Sequence, residues 1–283
     1  MTPPAADPES GFVPLPDTGQ IAYQIHGQNS DRIPVLLIRP LGGTMALWGA
    51  FRELLAREFR VISFDLRGTG HSSPDRAWPT TRGLARDSIQ VLAHLGVARA
   101  HVFGISLGGM TATWLALLAP TRVARLCVAS TPACGLALSG AGLRRELALA
   151  ACFARPRADV EAKLVERILS SGFRAAHPER VDEIERAVRA EPASRTDLIK
   201  HALAGLRHDT RAELSQIHLP TLVLAGQYDT LLGIEPARAL SDAILGSRFE
   251  IVADSGHDLT LEQPRVTAEI VAEFLLARDT SHG

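Results

Sequence analysis

Apolar runs long enough to be strands buried on both faces alternate with segments of helical periodicity, and this alternation constrains the fold more than any other feature. Ile33–Ile38 is a continuous apolar run, and Arg60–Phe64, Ala100–Ile105 and Val123–Ala129 read the same way. Gln20–His26 reads as a short strand that ends at Gly27. Between them, Leu47–Glu58, Leu84–Leu95 and Leu107–Leu118 carry helical spacing, with Trp48, Phe51, Leu54 and Leu55 along one stripe. A strand without polar alternation needs cover on both faces. Strands that alternate with helices therefore predict an α/β fold, a mostly parallel twisted sheet with helices on both faces.

After Ser130 the strand signal stops. From Gly135 to Glu213 only helical periodicity remains, over Leu143–Phe153, Ala158–Ser170, Glu179–Ala190 and Ser194–Leu206. Pro156, Gly172, Pro178 and Pro192 punctuate these segments. The sheet pattern then resumes with Thr221–Ala225 (strand), Glu235–Leu245 (helix), Arg248–Val252 (strand) and Leu261–Ala277 (helix). The expected organisation is a core domain of residues 1–134 and 214–283, interrupted by an all-helical cap over 135–213. Met1–Pro16 is expected to fray.

Composition excludes several function classes. A formal net charge of −1 over 283 residues gives no reason to expect nucleic acid or an anionic membrane as partner. It sets no oligomeric state. Three cysteines, Cys127, Cys134 and Cys152, close no disulfide framework, and no Cys-x-x-Cys pair suggests a metal. Unpaired thiols suit a reducing compartment. Met1–Ser10 lacks the basic start and apolar run of a signal peptide, and no apolar stretch reaches membrane-spanning length. A cytoplasmic protein acting on a small molecule is the expectation.

The chemistry centres on Gly104-Ile105-Ser106-Leu107-Gly108. This Gly-x-Ser-x-Gly motif follows a predicted buried strand and opens a predicted helix, the setting of a strained turn that exposes a nucleophilic serine. The glycines leave room for neighbouring backbone, and the helix N-terminus points its partial positive charge at the serine. The Leu107 N–H is the expected first donor to an oxyanion. A serine needs a base, and the base needs an orienting carboxylate. Asp229, just beyond the predicted strand at Thr221, and His257, in the loop before the last helix, follow Ser106 in the order Ser, Asp, His. The other histidines fall at element edges or near the insertion, where solvated or satisfied side chains are the expectation; His71 precedes Ser106, the wrong order. Asp254 and Asp258 stand too close in sequence to His257 to reach its far side.

Together these residues resemble the α/β-hydrolase superfamily. Phe64-Asp-Leu-Arg-Gly-Thr-Gly-His-Ser-Ser73 is similar to its Asp-x-Arg-Gly-x-Gly-x-Ser loop, and Ser255-Gly-His257 with Glu262-Gln-Pro264 to its histidine loop and last helix. Within that superfamily, Ala100–Met110, Leu84–Asp87 and Pro120–Leu126 resemble the 3-oxoadipate enol-lactonases. The resemblance implies the α/β-hydrolase fold and a serine esterase or lactonase with catalytic Ser106, Asp229 and His257, needing no metal or other cofactor. The implied substrate is an ester or lactone of a small organic or secondary-metabolite compound. Acyl transfer, acyl elimination, carbon–carbon bond hydrolysis and ligand binding without turnover use the same triad and stay open.

One departure stands out. Arg39-Pro40-Leu41-Gly42-Gly43 replaces the His-Gly of most members after the third strand. Proline has no N–H to donate, but the family's second oxyanion donor maps to Leu41, whose N–H remains. Arg39 is expected either to bind a substrate carboxylate or to form a structural ion pair. Trp48 and Met110 are candidate pocket walls, with ordinary core as the alternative. So are Leu143, Leu147, Cys152, Phe153, Leu164, Ile168, Phe173, Ile184 and Leu203 of the cap.

Overall fold

A computed structural model describes residues 8–27, 31–74, 77–135, 157–191 and 193–277. Its strands are β1 (Glu9–Pro14), β2 (Gln20–His26), β3 (Val35–Ile38), β4 (Val61–Phe64), β5 (Ala100–Ile105), β6 (Val123–Ala129), β7 (Thr221–Gly226) and β8 (Arg248–Val252). They form one sheet in the order β1-β2-β4-β3-β5-β6-β7-β8, antiparallel at β1–β2–β4 and parallel from β4 onward. Every residue of β3, β4, β5, β6 and β7 is buried, whereas the edge strands β1 and β8 are partly exposed.

Strand periodicity divides the core in two. Successive side chains of a strand point to opposite faces, so Leu36 and Ile38 of β3 enter one apolar cluster, and Val35 and Leu37 enter the other. The first cluster is closed by α2 (Thr81–His94), α3 (Leu107–Leu118) and α8 (Glu235–Asp242), through Leu84, Leu115 and Leu240. The second is closed by α1 (Gly49–Leu55) and α10 (Pro264–Leu276), through Phe51, Leu55 and Val271. Between β6 and β7 lie α4 (Arg157–Ile168), α5 (Ser171–Ala176), α6 (Pro178–Ala190) and α7 (Arg195–Leu206). The remaining short helix is α9 (Leu259–Glu262). Side-chain caps fix three of the starts: Thr80 accepts from Gly83 N–H ahead of α2, Ser170 from Phe173 N–H ahead of α5, and Ser194 from Asp197 N–H ahead of α7.

Three expectations need correction. The N-terminal segment does not simply fray, because Glu9–Pro14 pairs along its full length with β2. Pro14 is tolerated at the end of an edge strand, where no ladder donor is required, and Val13 and Leu15 are buried. The helix expected from Leu47 begins instead as a 3₁₀ turn, Met45–Trp48, and becomes α-helical only at Gly49. The helix expected over Leu261–Ala277 is two helices. Pro264 disfavours helical backbone at the residue before it, and Gln263 sits at φ −123°, ψ 56°. The helix expected at Leu143–Phe153 lies outside the described residues.

Candidate functional site

The turn from β5 into α3 holds Ser106 at φ 55°, ψ −119°. A non-glycine residue in that region stores about 1–3 kcal/mol of strain and persists only where its surroundings over-determine it. Here Ser106 N–H donates to the Ala129 carbonyl at 2.9 Å, and the Ser106 carbonyl accepts from Met110 N–H at 2.9 Å. The flanking glycines are a packing requirement. A Cβ on Gly108 would stand 2.1 Å from the Ile38 carbonyl oxygen, and one on Gly104 would stand 2.2 Å from the Gly108 carbonyl oxygen. Both obstacles are backbone. Gly108→Ala is therefore expected to destabilise the protein by about 3 kcal/mol. Gly172→Ala, in α5 where an added Cβ meets nothing within 4 Å, should instead stabilise it by about 0.5–1 kcal/mol. Guanidinium unfolding of the two variants checks the opposite signs.

Asp229 and His257 meet, although 28 residues separate them. The His257 ring Nδ1 lies 2.8 Å from Asp229 Oδ2, and both side chains are buried. The other carboxylate oxygen, Oδ1, accepts from the N–H groups of Leu231 and Leu232, each at 2.9 Å. Burial opposes ionisation of Asp229, yet the His257 charge, its Nδ1 hydrogen bond and the two backbone donors hold the carboxyl below its ordinary pKa. Burial likewise works to lower the pKa of His257. Asp229, with smaller help from Asp258 and Glu262, carries it above the usual imidazole value. Ser106, His257, Leu41, Leu107 and Met110 all line one cavity of about 170 Å³.

The segment after β3 forms a tight turn. Gly43 N–H donates to the Pro40 carbonyl at 3.0 Å, and Gly42 takes φ 70°. A turn closed in this way makes no use of the N–H at its second residue, Leu41. Arg39, just before it, is 1% exposed and points into the fold. Its Nη2 donates to Asp258 Oδ2 at 2.8 Å, its Nη1 donates to Thr260 Oγ1 at 3.3 Å, and its guanidinium lies 4.6 Å from the Trp48 ring centroid. Of the two roles open to Arg39 in the sequence, the structure shows the ion pair.

Trp48 is not among the residues that line the cavity. It is core, packed against Phe51 and Phe103 with ring centroids 5.7 and 5.9 Å away. Of the two places the sequence left open to Trp48, pocket wall or core, the structure shows core, and Arg39 stands over its ring. Of the cap candidates, Leu164 and Ile168 line the cavity. Phe173 and Ile184 pack with Leu169 and Leu261 instead, and Leu143, Leu147, Cys152 and Phe153 lie outside the described residues. His71 is exposed and stands 3.3 Å from Glu191.

Several residues hold supporting roles that the sequence does not assign. Ser130, at φ 46°, donates its hydroxyl to the His257 carbonyl at 2.7 Å. Glu262 accepts from Gly256 N–H at 2.8 Å and from Ser170 N–H at 3.0 Å, tying the histidine loop to α5. Asp258 N–H donates to the Ile168 carbonyl at the end of α4. Asp65 accepts from Met45 N–H at 2.7 Å and His71 N–H at 3.0 Å. Their shared signal was a buried carboxylate or hydroxyl beside a loop, which sequence spacing does not reveal. His201, expected to be a satisfied side chain, donates its Nε2–H to the Arg67 carbonyl, 2.7 Å away, and also lines the cavity. Among the described residues, no group of three or more His, Cys, Asp or Glu side chains is placed to hold a metal ion. No helix among them is long and apolar enough to cross a membrane.

Comparisons with known proteins agree with this fold. A sequence model of the alpha/beta hydrolase fold matches residues 33–264. The 3-oxoadipate enol-lactonase 1 of Acinetobacter baylyi is 28% identical over 256 residues, covering 90% of this chain and 92% of that protein. A Variovorax paradoxus protein provisionally named as a carbamate hydrolase is 33% identical over 258 residues, covering 89% and 95%. The crystal structure of a hydrolase from Pseudomonas aeruginosa PA01 superposes with a TM-score of 0.83 at 31% identity, covering 95% of this chain and 99% of that one.

Proposed function

This chain belongs to the α/β-hydrolase family, and from that premise we propose that it cleaves an ester or lactone of a small organic molecule through an acyl-enzyme on Ser106. The observation that carries this reading is the buried His257–Asp229 hydrogen bond at 2.8 Å, on a histidine that shares a cavity with the strained Ser106. Relatives named for lactone and carbamate hydrolysis support acyl chemistry at a carbonyl.

The roles follow from the geometry. His257 Nδ1–H is held by Asp229, which leaves Nε2 as the basic nitrogen. Nε2 takes the Ser106 hydroxyl proton while Oγ attacks the substrate carbonyl. The oxyanion that forms accepts from the N–H groups of Leu107, at the start of α3, and Leu41, in the turn after β3. Each such donor contributes about 3–4 kcal/mol to the transition state. The tetrahedral species collapses as His257 returns the proton to the leaving oxygen. Water, activated by the same imidazole, then releases the acid and restores the Ser106 hydroxyl. The helices inserted between β6 and β7 act as a cap over this centre: Leu164 of α4, Val188 of α6 and Leu198 of α7 line the cavity from above the sheet.

A fluorophosphonate probe tests the reading, because it reacts only with an activated serine. Mass spectrometry should find a single adduct on Ser106, and His257→Ala should reduce the labelling rate by at least about 1,000-fold. An unreactive protein, or an adduct on another serine, would reject the mechanism.

A further inference from the structure

We propose that the acyl group this enzyme accepts is small, apolar and uncharged, because the buried guanidinium of Arg39 at the site is already paired with Asp258. The inference rests on the acyl-enzyme reading above and narrows its substrate class. Among the described residues, Arg39 is the only Lys or Arg that lines the cavity. A carboxylate on the substrate would need the forked face of that guanidinium for a bidentate contact. Each terminal nitrogen already donates one hydrogen bond within the protein: Nη2 to Asp258 Oδ2 at 2.8 Å, and Nη1 to Thr260 Oγ1 at 3.3 Å, so the Asp258 carboxylate holds the place a substrate carboxylate would need. Thr260 in turn donates to Asp258 Oδ1 at 2.6 Å, so both carboxylate oxygens are held in place. One face of the guanidinium lies over the Trp48 ring, 4.6 Å from its centroid. The remaining Nε is buried and has no partner among the described residues, but it abuts the oxyanion turn: a Cβ on Gly43 would stand 3.0 Å from it.

The pair therefore presents no net charge to the cavity. Much of the rest of the wall is apolar, with Met110, Leu164, Val165, Ile168, Leu198 and Leu231 among its residues. At about 170 Å³, the space is comparable with an apolar cavity that takes up benzene. An unpaired carboxylate in such surroundings loses its hydration without compensation. His201 offers no substitute donor through Nε2, which is engaged by the Arg67 carbonyl at 2.7 Å.

Two substrates that share one scissile bond test this. Dimethyl succinate and monomethyl succinate both present a methyl ester to Ser106; they differ in whether the far end is neutral or anionic. In a pH-stat at neutral pH, kcat/KM for the diester should exceed that for the monoester by on the order of 100-fold. Asp258→Asn keeps the shape of the side chain and leaves the Arg39 charge uncompensated. It should bring the ratio down by at least about tenfold, whatever it does to the absolute rate. Should that variant fold poorly, Arg39→Met combined with Asp258→Leu replaces the pair by apolar side chains and should keep the wild-type ratio within about threefold. A wild-type ratio near one, a preference for the monoester, or an unchanged ratio in folded Asp258→Asn would overturn the inference. So would a shifted ratio in the double variant. The two readings fail separately: diester hydrolysis that survives Ser106→Ala defeats the acyl-enzyme mechanism, whereas Ser106-dependent hydrolysis that favours the anion defeats only the substrate class.

Discussion

Ser106→Ala should lower kcat for p-nitrophenyl butyrate by about 10⁶-fold, with KM within a few-fold of the wild type. The substitution removes the attacking oxygen and leaves the cavity wall, the turn after β3 and the His257–Asp229 pair in place. Members of a triad act as a unit, so loss of the nucleophile alone costs nearly as much as loss of all three. Stability supplies an internal control. Alanine at φ 55° is as strained as serine, so the unfolding free energy should stay within about 0.5 kcal/mol of the wild type. Ser106→Gly should raise it by about 1–3 kcal/mol, because glycine adopts that backbone without penalty. Retention of more than one part in a hundred of the wild-type turnover in the alanine variant would remove Ser106 from the chemistry.

The parts of the molecule that could be read in advance are those whose information is local. β5 and β6 fall where their runs place them, because a strand covered on both faces is mostly apolar, and β8, a partly exposed edge strand, falls where its bounds place it. The Ser106 turn was legible for a related reason: its glycines answer to steric limits within a few residues. β1 was not legible. An edge strand needs only one apolar face, and Glu9–Pro14 offers little more than Phe12 and Val13; its pairing depends on β2 across a turn. The break at Gln263 is legible in the sequence, since Pro264 announces it. Arg39 is the instructive case. Its type and position suggested either a substrate partner or an ion pair, and the choice depended on a residue 219 positions away. Nothing in the spacing of residues 39 and 258 says that they meet. Trp48 followed Arg39: its place near the Ser106 turn suggested a pocket wall or core, and the 3₁₀ turn Met45–Trp48 that carries it packs the ring on Phe51 and Phe103. Ser130 left no trace at all, because a positive φ on a non-glycine residue is imposed by tertiary contacts.

Asp229→Asn should lower kcat/KM by about 10,000-fold while leaving the protein folded, and it should also move the pH profile in a direction that identifies the cause. An amide at position 229 can present its NH₂ to the ring and stabilise the wrong imidazole tautomer, in which Nε2 carries the proton and cannot accept one from Ser106. The pH dependence separates this effect from simple loss of packing. His257 acts as a base only when neutral, so kcat/KM falls on the acid side as the ring becomes protonated. In the wild type, the Asp229 charge and hydrogen bond outweigh burial and hold the His257 pKa above its usual 6.5. The acid limb should therefore lie above that value. In the asparagine variant both of those upward influences are lost while burial remains, and the limb should move to lower pH. A merely loosened site would lower the rate without moving the limb downward, because exposure to water would relieve the burial that depresses the ring's pKa. A profile recorded from pH 4.5 to 9 with an activated ester distinguishes the two. An acid limb that stays where it was, or rises, would show that Asp229 does not set the charge state of His257. The hydrogen bond between them would then be structural, and the orienting carboxylate of Ser106's base would have to be sought elsewhere in the histidine loop.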